Sequence, residues 1–403
     1  MHRLLPAKRA PRWWSPRLRP WLVRAMAPIR RWMLRSQEQV RDVKLVGLEH
    51  LQSALTANHG ILLTPNHYCF TDPYILAAAA DRVGRPFYYM TAWQAIGLHH
   101  SARQMVMRWH GAFSIDRDGP DLQAFKQAVD IIQNRLHPLV IFPEGEMYRI
   151  SDRVFPFREG TAAIALAAAK RAERQVVCLP CALRYGYLDD PTSELLEAME
   201  RIEQRLLLRA QPESPLAERI VRACEGALAL KELDYLGHTQ GGSAHERAQS
   251  LAAAVLAPIE QRQQLTPAGP DLLSRVRVAR QRILAALEKF GDDRTDRSRL
   301  QADLDDLFFV EQLSCYPVEY DTHKPALHRM AETIDKLEED ILGLALAPPR
   351  GPRRATLLIG ELIAVDPAAQ DKTSLTAMLE ARVQALLDET KNPLEKPIYA
   401  HAP

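Results

Sequence analysis

Cysteine is scarce and long apolar runs are missing. Five cysteines in 403 residues, Cys69, Cys178, Cys181, Cys224 and Cys315, form an odd set without framework spacing. That excludes a disulfide miniprotein and points to a reducing compartment. Apolar runs such as Ile75 to Ala80 and Ala162 to Ala169 fall far short of the roughly 20 residues a bilayer core demands. No transmembrane span is therefore expected. The composition is 47% hydrophobic and 25% charged, which excludes disorder throughout and collagen. At roughly 150 residues per domain, the length fits two or three units. G-x-S-x-G, P-loop and G-x-G-x-x-G patterns are absent, so hydrolase, kinase and dehydrogenase readings lack their parts. Cys178-Leu179-Pro180-Cys181 has redox or metal-ligand spacing, but no second pair exists. The same residues suit a strand, so no metal site and no bound cofactor are expected.

Acidic residues are also missing from the first 36 positions, which hold ten Lys or Arg; the other 367 carry 42 basic and 50 acidic side chains. A mildly acidic body thus bears a basic arm. Pro6, Pro11, Pro16, Pro20 and Pro28 interrupt the arm, and no uninterrupted apolar stretch of the secretory type is present. Transit peptides are likewise Arg-rich and acid-poor, but this arm has only two Ser. Trp13, Trp14, Trp21 and Trp32 are four of the six tryptophans in the chain. From Pro20, a favoured first helical residue, Leu22, Met26, Ile29 and Met33 recur with helical spacing. Arg24, Arg31 and Arg35 fall opposite, Arg30 lies at the boundary, and Pro28 is expected to kink the helix. Such a helix can lie on an anionic membrane surface, or dock on the protein's own body with a solvated basic face. No groove-reading motif accompanies the charge, so nucleic acid is not an expected partner.

After Gln37 strands and helices alternate. Strands are expected at 43–47, 60–64, 86–90, 113–116, 138–142 and 176–183, and helices at 73–82, 91–109, 121–136 and 159–171. That alternation implies an α/β fold, a mostly parallel sheet flanked by helices. From Pro191 to about Leu346 helix follows helix, with amphipathic stretches such as Leu195 to Leu208 and Leu273 to Phe290. After Pro348 to Pro352, a β-like run at 355–365 and a helix at 375–389 return. The helical block therefore reads as a large all-helical insertion into the sheet domain, and no internal repeat is found in it. It could cover the cleft, select one of the substrates, or form a homodimer.

The first chemical candidate is Pro65-Asn66-His67-Tyr68-Cys69-Phe70-Thr71-Asp72-Pro73, directly after a buried strand. Strand ends of open α/β sheets are where ligands bind. His67 can take a proton from an alcohol near neutral pH. Asp72 can turn back onto its Nδ1 proton and stabilise the imidazolium. Alternatively, Asp72 is a helix N-cap before Pro73, and His67 a hydrogen-bonded histidine at a strand end. Cys69, two residues from His67, would be a covalent nucleophile only if the imidazole reached it.

Three further segments lie at strand ends: Gly111-Ala112-Phe113-Ser114-Ile115-Asp116-Arg117, Phe142-Pro143-Glu144-Gly145 and Val177-Cys178-Leu179-Pro180. With the first, their order and spacing resemble the four sequence blocks of the glycerolipid acyltransferases, the family of 1-acylglycerol-3-phosphate acyltransferase. Phe157-Arg158-Glu159-Gly160 resembles the family's basic segment, and Ile359-Gly360-Glu361-Leu362-Ile363 its closing strand. The resemblance covers 37–189 and about 352–391. It implies direct transfer from acyl-CoA or acyl-carrier protein to a lysophospholipid hydroxyl, with 1-acylglycerol-3-phosphate as the leading acceptor and phosphatidic acid as product. His67 and Asp72 would be catalytic. Asn66, Arg117, Glu144, Gly145 and Arg158 would bind substrate, although Arg117 could instead pair with Asp116 or Asp118, and Glu144-Gly145 could be a plain turn. Where the family usually continues Thr-Arg-Ser, this chain has Glu146-Met147-Tyr148. An acceptor with another headgroup therefore stays open, as does a non-catalytic lipid-binding scaffold.

The expected layout is an arm at 1–36, an acyltransferase domain at 37–189 closed by 352–391, a helical insertion at 190–351 and a tail at 392–403. The expected location is peripheral, on the cytoplasmic face of a membrane.

Overall fold

A computed structural model describes residues 12–171, 173–266, 271–289, 294–316 and 326–389. The arm's first eleven positions, the residues at 290–293 and the tail at 392–403 lie outside the described residues. In chain order the elements are α1 (Pro20–Ala25), α2 (Ala27–Ser36), β1 (Val40–Val46), α3 (Leu48–Thr56), β2 (Gly60–Pro65), α4 (Asp72–Val83) and β3 (Tyr88–Ala92). Then come α5 (Trp93–Gly97), α6 (Ser101–Trp109), β4 (Ala112–Ile115), α7 (Leu122–Asn134), β5 (Leu139–Val140), α8 (Gly160–Ala169) and β6 (Val176–Tyr187). Six helices follow: α9 (Thr192–Arg205), α10 (Leu216–Leu236), α11 (Ala244–Arg262), α12 (Leu272–Lys289), α13 (Arg294–Leu313) and α14 (Leu327–Ile341). The chain then returns to β7 (Arg353–Ile359), β8 (Ile363–Ala364) and α15 (Lys372–Glu389).

The strands form one sheet in the order β1-β7-β6-β2-β5-β3-β4, with β8 on β6. Every neighbouring pair is parallel except β6 with β7 and with β8. This is an α/β architecture, a mostly parallel sheet flanked by helices. Side chains alternate across a strand, so Ile61 and Leu63 of β2 enter one core with Leu51, Ile75 and Leu76, whereas Leu62 enters the other with Ile131, Ala165 and Leu379. A strand buried on both faces needs the continuous apolar run that β2 has. The same alternation separates Cys178 and Cys181 into opposite cores. Three positions apart on a strand, they cannot clasp one ion between them.

Several elements differ from the sequence expectation. The 138–142 strand is shortened to two residues, because Pro138 and Pro143 at its flanks have no N–H for a ladder. The 355–365 run breaks after Ile359, where the Gly360 amide bonds the Pro180 carbonyl, and both halves pair with β6. Helix α3 was not anticipated. It begins after Gly47, whose φ of +75° turns the chain out of β1.

Close contacts divide the described residues into two compact units, one within 192–348, the other at 12–191 with 349–389. Among its described residues the first has helices joined by loops and no strand, and it carries a periodicity that sequence reading missed. Glu203 pairs with Arg219, Glu232 with Arg247 and Glu260 with Arg275. The three arginines recur every 28 residues and the glutamates nearly so. Each pair ties the last part of one helix to the first turn of the next, through two-pronged hydrogen bonds of 2.7–3.0 Å. These carboxylates are buried, so losing Arg247 or Arg275 would strand a charge and cost about 3–5 kcal/mol, whereas Glu203 would keep Arg222 at 3.6 Å.

In the second unit, the described part of the arm is docked on the sheet domain. Trp14 and Ser114 exchange two hydrogen bonds, at 2.8 and 3.0 Å, and Arg17 and Arg19 amides bond Arg108 and Trp109 carbonyls. The single kinked helix expected from Pro20 is two helices, with Pro28 in the first turn of α2, where a missing N–H costs nothing. The docked face is also not the Leu22, Met26, Ile29 and Met33 stripe. Val23, Arg30 and Leu34 are buried instead, and Arg30 makes a fork of 2.7 and 2.8 Å to Asp81. Trp21, Ile29 and Trp32 remain exposed, at 67, 51 and 61%.

Candidate active site

The loop between β2 and α4 is held from three sides. Pro65 ends the strand, and Asn66 continues its pairing by side chain. Asn66 Nδ2 donates to the Leu183 carbonyl at 3.1 Å, and the Leu183 amide donates to Oδ1 at 2.7 Å. Asn66 is buried, so its amide works as a splint to β6 rather than as an open contact for substrate. The next residue, His67, donates its backbone N–H to Glu144 Oε1 at 2.8 Å. Its ring stacks on Phe142 with centroids 4.0 Å apart.

His67 Nδ1 lies 2.9 Å from Asp72 Oδ2. Asp72 is the first residue of α4 rather than its cap, and Thr71 precedes the helix. Its carboxylate, fully buried, accepts the Tyr68 and Cys69 amides on Oδ2 at 2.7 and 2.9 Å. Oδ1 accepts the Tyr185 hydroxyl at 2.7 Å and faces the Cys69 thiol at 3.5 Å. Five donors and a helix N-terminus surround it. With the carboxylate accepting at Oδ2, the contact is made by the N–H of His67 Nδ1, which leaves the lone pair on Nε2. Nε2 has no hydrogen-bond partner among the described residues, and the side chain is 18% exposed. The arrangement can take one proton from a group presented at Nε2.

Tyr185 is the member that sequence reading missed. It lies 113 residues from Asp72 in sequence, on the β6 face that also carries Cys181 and Leu183. Burial first, then the charge of Asp72, holds its phenol well above the usual range, so it stays a donor. Burial likewise pushes the Cys69 thiol up to about 12, with Asp72 adding to the effect. The thiol faces Asp72 and not the His67 imidazole, so the nucleophile reading of Cys69 lacks its base. The thiols of Cys178 and Cys181 are raised by burial as well. Among the described residues no group of three or more metal-ligating side chains occurs.

Glu144 is buried, and its two oxygens accept the His67 and Phe155 amides at 2.8 and 3.2 Å. Through these two bonds it braces the histidine loop. Desolvation pushes its carboxyl from the ordinary 4.5 up to about 8, against the opposing effect of those two amides. Between these values the folded chain keeps a proton that the unfolded chain has lost. Its contribution to stability is therefore complete below pH 4.5 and disappears as pH rises through about 8. The urea midpoint of wild type is expected to fall more steeply from about pH 5 to about pH 9 than that of Glu144→Gln. Parallel profiles would contradict this.

The remaining predicted residues gather around Glu146. Arg117 follows β4 and donates to the Gly145 carbonyl; its Nη1 is 2.7 Å from Glu146 Oε2. Its carboxylate partner is thus Glu146, not Asp116 or Asp118. Arg158 donates to the Arg117 carbonyl at 3.0 Å and places Nη2 3.9 Å from Glu146 Oε1. Gly145 has φ +75°, and a Cβ there would lie 2.3 Å from Arg158 Nε. The space that glycine leaves is filled by this guanidinium. Arg117 Nε is buried without a partner among the described residues. Since Glu144 bonds the His67 amide, Glu146 is only two residues from the brace of the base.

Comparison with known proteins bears on this site. The family model described as Acyltransferase matches residues 42–184. That stretch contains His67, Asp72, Asn66, Arg117, Glu144, Gly145 and Arg158. A search of curated proteins returned no match.

Proposed function

With an acyltransferase-family domain at residues 42–184 as premise, we propose that the protein moves an acyl group from an acyl thioester to the free hydroxyl of a lysophospholipid. His67 Nε2 takes the hydroxyl proton as the oxygen attacks the thioester carbonyl. The tetrahedral adduct collapses, the C–S bond breaks, and the thiolate leaves with the proton returned by the imidazolium. Asp72 holds the tautomer and stabilises the charge while it lasts. A positioned base of this kind contributes about 10²- to 10⁴-fold, and holding both substrates together supplies much of the rest. The observation that carries the reading is the His67–Asp72 contact of 2.9 Å with Nε2 unengaged, inside the matched segment.

Acyl-CoA or acyl-carrier protein would be the donor. The sequence resemblance nominates 1-acylglycerol-3-phosphate as acceptor, with Arg117 and Arg158 meeting the phosphate. A second reading, another lysolipid acceptor, is favoured by Met147 and by the pairing of both arginines with Glu146. The test is transfer of label from acyl-CoA or acyl-carrier protein to a panel of lysolipids in anionic liposomes. A diacyl product is expected. No product with any acceptor and either donor, while liposome binding persists, would favour a scaffold.

Membrane contact belongs to the same proposal. No helix among the described residues is long and apolar enough to cross a bilayer. Trp21, Ile29 and Trp32 stand exposed beside Arg24, Arg31 and Arg35, a composition suited to an anionic interface. The cysteines are free thiols, which fits the cytoplasmic face. Trp21→Ala with Trp32→Ala is expected to lower liposome sedimentation several-fold without changing the thermal midpoint, and salt is expected to weaken binding further. Unchanged sedimentation would place the contact elsewhere.

A further inference from the structure

The carboxylate of Glu146 sits between the two guanidinium groups that would otherwise meet an anionic headgroup. One of its oxygens is 2.7 Å from Arg117 and the other 3.9 Å from Arg158, and both side chains of the closer pair are largely buried. Two fixed positive charges are thus met by a fixed negative one before any substrate arrives. Met147, next in the chain, adds a thioether and no charge. A phosphate monoester carries between one and two negative charges near neutral pH. To reach Arg117 it must displace Glu146 or stand beside it, and like charges at that range repel strongly where water is scarce. A phosphodiester carries a single negative charge, and an attached ammonium group would find in Glu146 a partner of opposite sign.

We propose that Glu146 determines acceptor specificity, turning the site away from a phosphate monoester and toward a zwitterionic lysolipid whose phosphodiester bears an ammonium group. The proposal rests on the acyl-transfer reading above and deepens it. Specificity here comes from a repulsive element as much as an attractive one. Arg117 keeps a role in it. Its Nη1 is the atom that Glu146 holds at 2.7 Å, and a diester oxygen would share that guanidinium with the carboxylate.

The test compares full-length wild type, Glu146→Gln and Glu146→Asp, each checked for an unchanged thermal midpoint. Two acceptors are presented, 1-oleoylglycerol-3-phosphate and 1-oleoylglycerol-3-phosphocholine. Wild type is expected to show the higher kcat/KM with the phosphocholine acceptor. Glu146→Gln is expected to shift the ratio toward the monoester by about tenfold or more, and Glu146→Asp to stay near wild type. In parallel, binding of the 1-octanoyl forms of both lipids is titrated without donor, and the same shift in relative affinity is expected. If no acceptor turns over but the binding preference moves with Glu146→Gln, the inference stands and the acyl-transfer reading falls. If acceptors turn over and neither ratio moves with Glu146→Gln, or wild type already prefers the monoester, the inference is overturned and the reaction remains.

Discussion

An Asp72→Ala chain is expected to fold less stably than wild type and to transfer almost no acyl group. The carboxylate is wholly buried and accepts or faces five donors, from His67, Tyr68, Tyr185 and two atoms of Cys69. Hydrogen bonds to a charged group are worth about 1.5–3 kcal/mol each. Their loss is only partly compensated by water, because the Tyr185 hydroxyl and the Cys69 side chain are buried too. A decrease of about 3–5 kcal/mol, read from urea denaturation, is the expected outcome. Asp72→Asn separates the two effects. It fills the same space, so stability should fall less, but its amide presents a donor and disturbs the tautomer of His67. Turnover should still drop on the order of 10³- to 10⁴-fold. Near-normal turnover in Asp72→Asn would remove Asp72 from the mechanism.

The His67→Ala chain should behave in the opposite proportion. Its ring is partly exposed, stacks on Phe142 and makes one side-chain hydrogen bond. The Glu144 brace uses the backbone N–H, which alanine keeps. Stability should therefore change by only about 1 kcal/mol. Turnover should fall by about 10²- to 10⁴-fold, the contribution of a positioned base. A loss of folding equal to that of Asp72→Ala would mean that the histidine is chiefly structural.

Much of the sheet domain was legible because its strands are short apolar runs bounded by proline, glycine and charged residues. Gly60–Pro65 reads as a doubly covered strand from composition alone. His67 and Asp72 were legible because five residues of one loop bring them together. Tyr185 was not, since it joins them only through the parallel pairing of β6 with β2, which no local pattern encodes. The same limit applies to Glu144. Its neighbours suggest a binding turn, but its oxygens are engaged by amides at positions 67 and 155. Arg117 was legible as a cation, while its partner lay among three nearby carboxylates and was decided by the turn at Gly145. In the helical unit, the 28-residue spacing is carried by single ion-paired positions among variable apolar ones. It becomes visible once consecutive helices are seen tied at their ends. For the arm, helical periodicity found an apolar stripe. Docking selected Val23, Arg30 and Leu34 because Asp81 offers the arginine a carboxylate partner.

The central claim is that one imidazole removes the acceptor's proton, and the rate of label transfer from an acyl thioester to a lysolipid, in matched liposomes, tests it most directly. Wild type and His67→Ala would be compared with and without added imidazole. The account predicts a rate at least about 100-fold lower in the variant, partly restored by imidazole. Transfer by His67→Ala at the wild-type rate in the absence of imidazole would contradict it.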